Sequence, residues 1–137
     1  MEFKFEKVDS AAVEDIVELY KSAGWWKEVP EARAIIPDMI RGSFCFMIAQ
    51  SPEERVVGMA RAISDGYSDA YIQDVVVLPS YRGQGIGREL IRRVTQYCVQ
   101  RKIAWIALVA EPGTRAFYEE LGYVPLAGYQ PMLYGKR

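Results

Sequence analysis

The chain has 137 residues, half of them hydrophobic and 12% aromatic, enough for one compact domain (1–137) with a real core and too few for a second. Seventeen Lys and Arg against eighteen Asp and Glu leave a formal charge of −1, so no overall positive field gathers nucleic acid or anionic lipid, and phosphate binding has to be local. With no histidine in the chain, a histidine base, a nucleophile paired with histidine and the usual zinc sites are all excluded, leaving proton transfer to carboxylates, tyrosine or water.

In chain order, Phe3, Phe5 and Val8 interleave with charges as a short strand, and Asp9 or Ser10 offers an N-cap to a helix over 11–22. The start lacks a signal-peptide pattern and no apolar run approaches the ~20 residues of a membrane span, so a cytoplasmic protein without membrane contact is expected. After Gly24-Trp25-Trp26 a second helix is expected over 31–41, ended by Gly42. Three strands follow over 44–50, 56–64 and 70–78, joined by turns short enough for antiparallel pairing. Cys45 and Cys98 each sit inside an apolar-periodic segment and read as buried free thiols.

From 85 to 101 the pattern turns helical, with Ile86, Leu90, Val94 and Tyr97 or Cys98 on one face and Arg88, Arg92 and Arg93 on the other. A strand over 103–109, a helix over 114–121 stopped by Gly122, and a last strand over 129–134 complete the series. Helices alternating with strands make this an α/β layered domain with a mixed sheet.

The chemistry is written between the fourth strand and the long helix, in Val75-Val76-Val77-Leu78-Pro79-Ser80-Tyr81-Arg82-Gly83-Gln84-Gly85-Ile86-Gly87-Arg88. A helix start presents unpaired N–H groups and the positive end of the helix dipole, which suits a phosphate or diphosphate. Three alternate glycines admit a close ligand, and Arg82 and Arg88 add charge. The dinucleotide fingerprint fails because Leu90 stands where its third glycine would be, and the Gly-Lys-Ser/Thr of nucleotide hydrolases is absent.

The hexamer Arg82-Gly83-Gln84-Gly85-Ile86-Gly87 resembles the Arg/Gln-x-x-Gly-x-Gly/Ala signature of the GNAT N-acetyltransferase superfamily. The likeness extends to Ala116-Phe117-Tyr118-Glu119-Glu120-Leu121-Gly122-Tyr123, similar to that family's FYE-x-GF segment. It implies a mixed, largely antiparallel sheet flanked by helices and splayed between its fourth and fifth strands. It also implies acetyl-coenzyme A as co-substrate, with no metal.

The same resemblance implies that loop amides of Arg82, Gly83, Gln84, Gly85, Ile86, Gly87 and Arg88 hold the coenzyme's diphosphate. The pantetheine would lie beside Val75, Val76 and Val77, chiefly against backbone groups of Val75 and Val77, and Tyr118 would protonate the leaving thiolate. Asp74, a carboxylate in an apolar strand, is the candidate base; it reads equally as a strand-edge carboxylate paired with an arginine. Gln73 stands where many relatives carry glutamate, and Glu111 where they often carry asparagine.

The acceptor expected is a small-molecule primary amine. A protein N-terminus or lysine, and a non-catalytic acyl-CoA-binding module, remain as alternatives. Trp25, Trp26, Tyr67 and Tyr129 are aromatic candidates for its pocket, with Glu28, Asp65 or Asp69 to attract an ammonium. Homodimers are common in the family, and an exposed strand edge near the C-terminus is the one sequence sign of such a partner.

Overall fold

The structure, a computed structural model, describes residues 2–135. Five strands form one sheet in the order of the chain: β1 (Lys4–Lys7), β2 (Cys45–Gln50), β3 (Val56–Ser64), β4 (Asp69–Val77) and β5 (Trp105–Leu108). The first four pair antiparallel, and β4 with β5 parallel. Of β2, Cys45 through Ala49 are all buried, and so are Val56 through Ala60 of β3. These stretches read as unbroken apolar runs because helices cover both faces of the sheet centre.

On the sheet lie α1 (Val13–Ser22), α2 (Ala32–Gly42) and α3 (Ile86–Gln100), and α4 (Arg115–Glu119) follows β5. The stripe Ile86, Leu90, Ile91, Val94 and Cys98 buries α3, so close to β3 that a Cβ on Gly58 would stand 3.0 Å from a Leu90 methyl. Ile16, Val17 and Leu19 bury α1, and Ala32, Ile36 and Ile40 bury α2. Cys45 and Cys98 are free and buried. No described helix is long and apolar enough to cross a membrane.

Two local expectations are corrected. Neither Asp9 nor Ser10 caps α1: the cap position is Ala12, with no side-chain bond, while Asp9 pairs with Lys7. The anchoring carboxylate is one turn further on, where Asp15 accepts the Val56 amide at 3.0 Å and ties α1 to β3. The expected last strand over 129–134 does not form. Pro125 and Pro131 have no N–H to give a ladder, and Gly128 turns the backbone at φ 84°.

Sheet continuity breaks at β4. Met59 faces Val76 and Arg61 faces Gln73, so Asp74 and Val75 together oppose Ala60 in a β-bulge, with Asp74 in the left-handed region at φ 57°. Pairing between β4 and β5 runs from Asp69 opposite Trp105 to Ile72 opposite Leu108 and then stops. Beyond Ile72 the strands part, and the splay opens a cleft.

Candidate functional site

The cleft, about 950 Å³, runs from Ser22, Ala23 and Trp25 along β4 to the loop before α3, walled on the other side by Leu108, Val109, Glu111, Phe117 and Tyr118. That is ample for a cofactor-sized ligand.

At the loop end, Pro79–Tyr81 makes one 3-10 turn, in which the Tyr81 amide donates to the Leu78 carbonyl and the Arg82 amide to that of Pro79. The first bond of α3 runs from Glu89 to the Gly85 carbonyl at 3.1 Å, and no described acceptor meets the amides of Gly83 through Arg88. Six successive N–H groups are therefore available to a ligand, at the positive end of a helix. Gly83 and Gly85 sit at φ 81° and 82°, where other residues are strained. Arg82 and Arg88 are less free than the sequence suggests: Arg82 Nε donates to the Val77 carbonyl at 2.8 Å, and Arg88 pairs with Glu120 at 2.5 Å.

Beside this loop the edge of β4 facing β5 is uncovered from Gln73 to Val77. The Leu78 amide donates to Val57 on β3 at 2.9 Å. Alternation along the strand therefore turns the peptide groups of Val77 into the cleft and those of Val76 back to β3. Of the three valines, Val76 thus contributes apolar lining rather than open backbone.

Tyr118 lies across the cleft on α4, packed edge-on to Phe117 at 5.0 Å and Tyr123 at 6.1 Å. Burial first, then the charge of Glu111, pushes its phenol up to about 12, so it stays protonated and can donate a proton. The Glu111 carbonyl accepts both the hydroxyl and the amide of Thr114, which starts α4.

Asp74 is engaged from behind. Its Oδ2 accepts the Tyr20 hydroxyl at 2.7 Å and Arg61 Nε at 2.9 Å, and Arg61 also donates to Ser43 Oγ at 3.3 Å. The Asp74 and Arg61 side chains are 20% and 13% exposed. Burial, then the charge of Asp74, raises the Tyr20 phenol well above its usual range, keeping it a donor. Of the two sequence readings of Asp74, the geometry is that of the carboxylate paired with an arginine.

At the end remote from the loop, only Trp25 of the expected aromatic residues lines the cleft; with it is Tyr71, each 39% exposed. Trp26 instead packs under Arg33 and donates to Glu28, itself paired with Arg33. Tyr67 and Tyr129 are exposed outside the cleft, and Asp65 closes its own turn by accepting the Tyr67 and Ser68 amides. Asp69, exposed, is likewise outside it. The sequence reading missed Tyr71, Tyr20 and Arg61. Arg61 is the charged residue in the run Val56-Val57-Gly58-Met59-Ala60-Arg61-Ala62-Ile63, and it faces Gln73, the neighbour of Asp74, across the hairpin. Tyr71 shares an outward alternation with Asp69 and Gln73.

A family model described as the Acetyltransferase (GNAT) family matches residues 11–123. The chain is 34% identical over 112 residues to an N-acetyltransferase, ycf52, of Pyropia yezoensis, covering 80% of this chain and 63% of that protein. It is 44% identical over 71 residues to the histone acetyltransferase TAP1 of Glycine max, covering 52% and 31%. The chain thus spans less than two thirds of these curated relatives. Among solved structures, a probable acetyltransferase from Staphylococcus aureus, SA2161, superposes with a TM-score of 0.81 over 98% of this chain and 99% of that one, at 22% identity.

Proposed function

The chain belongs to the GNAT acetyltransferase family, and from that premise we propose that it transfers the acetyl group of acetyl-coenzyme A to the primary amine of a small molecule. One observation carries this: the unpaired amides of Gly83 through Arg88 adjoin an uncovered strand edge ending at Val77, a diphosphate cradle continuous with a place for an extended arm. Bound there, the co-substrate supplies an activated acyl group and a thiolate leaving group.

The remaining work falls to this chain's groups. Amides of Gly83 through Arg88 hold the diphosphate, and Val77 pairs with the pantetheine as a neighbouring strand would. The backbone at Val75, the second residue of the bulge, faces the carbonyl under attack and steadies its developing charge. Tyr118 gives its proton to the departing sulfur, its raised pKa keeping that proton in place until then. Asp74 holds the bulge through Arg61 and Tyr20, and the amine proton leaves through cleft water. Trp25 and Tyr71 form an aromatic wall for the amine, which favours an acceptor with a flat apolar body.

A protein lysine or N-terminus is the second reading, supported by the histone acetyltransferase among the relatives. Calorimetric titration with acetyl-coenzyme A, then thiol release with panels of aromatic amines, aliphatic amines and lysine peptides, tests both. Absence of measurable coenzyme binding defeats the proposal; thiol release with peptides alone replaces the small-molecule acceptor.

A further inference from the structure

An attacking amine must shed a proton, and two carboxylates line the cleft to take it, Asp74 and Glu111. Asp74 is committed, its Oδ2 accepting both the Tyr20 hydroxyl and Arg61 Nε. Glu111 is exposed, and its carboxylate forms no hydrogen bond or ion pair with any described residue. The cations of the cleft lining, Arg82 and Arg88, stand at the loop before α3 and are engaged with the Val77 carbonyl and Glu120. Glu111 is therefore the cleft carboxylate whose oxygens are open to a proton.

The backbone fixes where that carboxylate stands. The Glu111 carbonyl accepts the Thr114 hydroxyl at 2.6 Å and the Thr114 amide at 3.1 Å, and the Thr114 carbonyl accepts the Tyr118 amide at 3.2 Å. Two successive turns of bonding thus tie Glu111 to Tyr118 on one wall of the cleft. The two side chains feel each other: after burial, the Glu111 charge is what raises the Tyr118 phenol, ahead of Tyr123, which packs edge-on at 6.1 Å. Arg82 and Arg88 before and on α3 and Asp74 on β4 complete the charged lining.

We propose that Glu111 takes the proton of the attacking amine, through cleft water, and then returns it to Tyr118. Resting on the acetyl-transfer reading, the step balances. The N–C bond forms as the C–S bond breaks; the amine nitrogen loses one proton to the Glu111 carboxylate, and the Tyr118 phenol gives one to the sulfur. Protonated Glu111 then passes its proton to the Tyr118 phenolate, which is downhill because a phenolate is far more basic than a carboxylate. One amine and one thioester become one amide and one thiol, and both side chains end as they began.

Glu111→Gln keeps the shape and removes the charge. It is expected to melt as wild type and to bind acetyl-coenzyme A with unchanged affinity by calorimetry, while kcat with the fastest acceptor among the amines and peptides falls about a hundredfold. In the protein without ligand, the Cζ resonance of Tyr118, identified by its loss in Tyr118→Phe, should titrate at lower pH in the glutamine variant, because a neighbouring negative charge has gone. Formate, a free carboxylate, should raise the turnover of Glu111→Ala roughly tenfold. Wild-type turnover in the glutamine variant overturns the proposal, as does a Tyr118 titration that does not move or a Glu111→Ala turnover that formate leaves unchanged. Coenzyme affinity that falls in step with turnover overturns it too, making Glu111 a coenzyme contact. Those results strike Glu111 alone, whereas an unaltered chain that binds no acetyl-coenzyme A defeats the acetyl-transfer reading and this step with it.

Discussion

Replacing Asp74 separates a carboxylate that holds the backbone from one that takes a proton. Asp74→Ala removes the acceptor shared by Tyr20 and Arg61 and places alanine at φ 57°. An Arg61 side chain only 13% exposed then lacks its partner, which costs ~3 kcal/mol, the low end for breaking a buried pair. The left-handed backbone adds ~1 kcal/mol. Together, about 4 kcal/mol lowers the melting temperature by roughly 12 °C, at ~3 °C per kcal/mol for a domain of this size. Asp74→Asn keeps an oxygen acceptor and tolerates the left-handed region, so its cost is ~1–2 kcal/mol. Its turnover should stay within about tenfold of wild type, whereas loss of a general base costs on the order of 10²–10⁴. Calorimetric melting and steady-state kinetics on both variants decide the matter. Asp74→Asn with wild-type melting and coenzyme affinity but turnover down a hundredfold would refute the backbone role and restore the base.

Tyr118→Phe should lower kcat by ~10²–10⁴ with little change in KM for acetyl-coenzyme A; equal turnover would remove Tyr118 as the acid. Because the folded phenol is raised from 10 to about 12, its stabilising contribution is complete below pH 10 and is lost as pH rises to 12. Urea titrations should accordingly find a smaller stability loss over that window in the phenylalanine variant, and identical pH curves would contradict it. Gly85→Glu meets no atom within 4 Å, so the fold should persist at a cost of ~1–2 kcal/mol from φ 82°; the added charge should abolish coenzyme binding, and unchanged affinity by calorimetry would count against the cradle. Trp25→Ala should raise KM for an aromatic amine about tenfold, ~1.4 kcal/mol of lost aromatic contact, and leave that for acetyl-coenzyme A alone; a shift in the coenzyme term instead would put Trp25 elsewhere in the reaction.

What the residues disclose in advance follows from which part of them does the binding. The proposed diphosphate cradle is main chain, and main chain can be exposed and turned only by particular residues in fixed succession, so Gly83, Gly85 and Gly87 before an amphipathic stripe mark it in the sequence. The elements around it are equally plain, since the unbroken runs in β2 and β3 and the stripe of α3 are set by burial. The proposed acceptor end is side chain, assembled from α1, the segment after it and β4. Trp25 and Trp26 are adjacent and chemically alike, yet one lines the cleft and the other packs under Arg33. Their difference is set by where the chain leaves α1 at Gly24, φ 78°, and neither composition nor periodicity reports that direction.

The bulge at Asp74 joins the two halves. A regular β4 would continue its ladder with β5 past Ile72 and close the cleft, so the open edge depends on one residue staying left-handed. Nothing on the cleft side holds it there. The hold comes through Oδ2 from Tyr20 on α1 and Arg61 on β3, the latter steadied by Ser43 at the end of α2. The elements that border the proposed acceptor end therefore also fix the strand edge proposed to face the coenzyme. A change in α1 that moves Tyr20 reaches the open β4 edge, and with it the proposed position of the thioester, through the backbone alone.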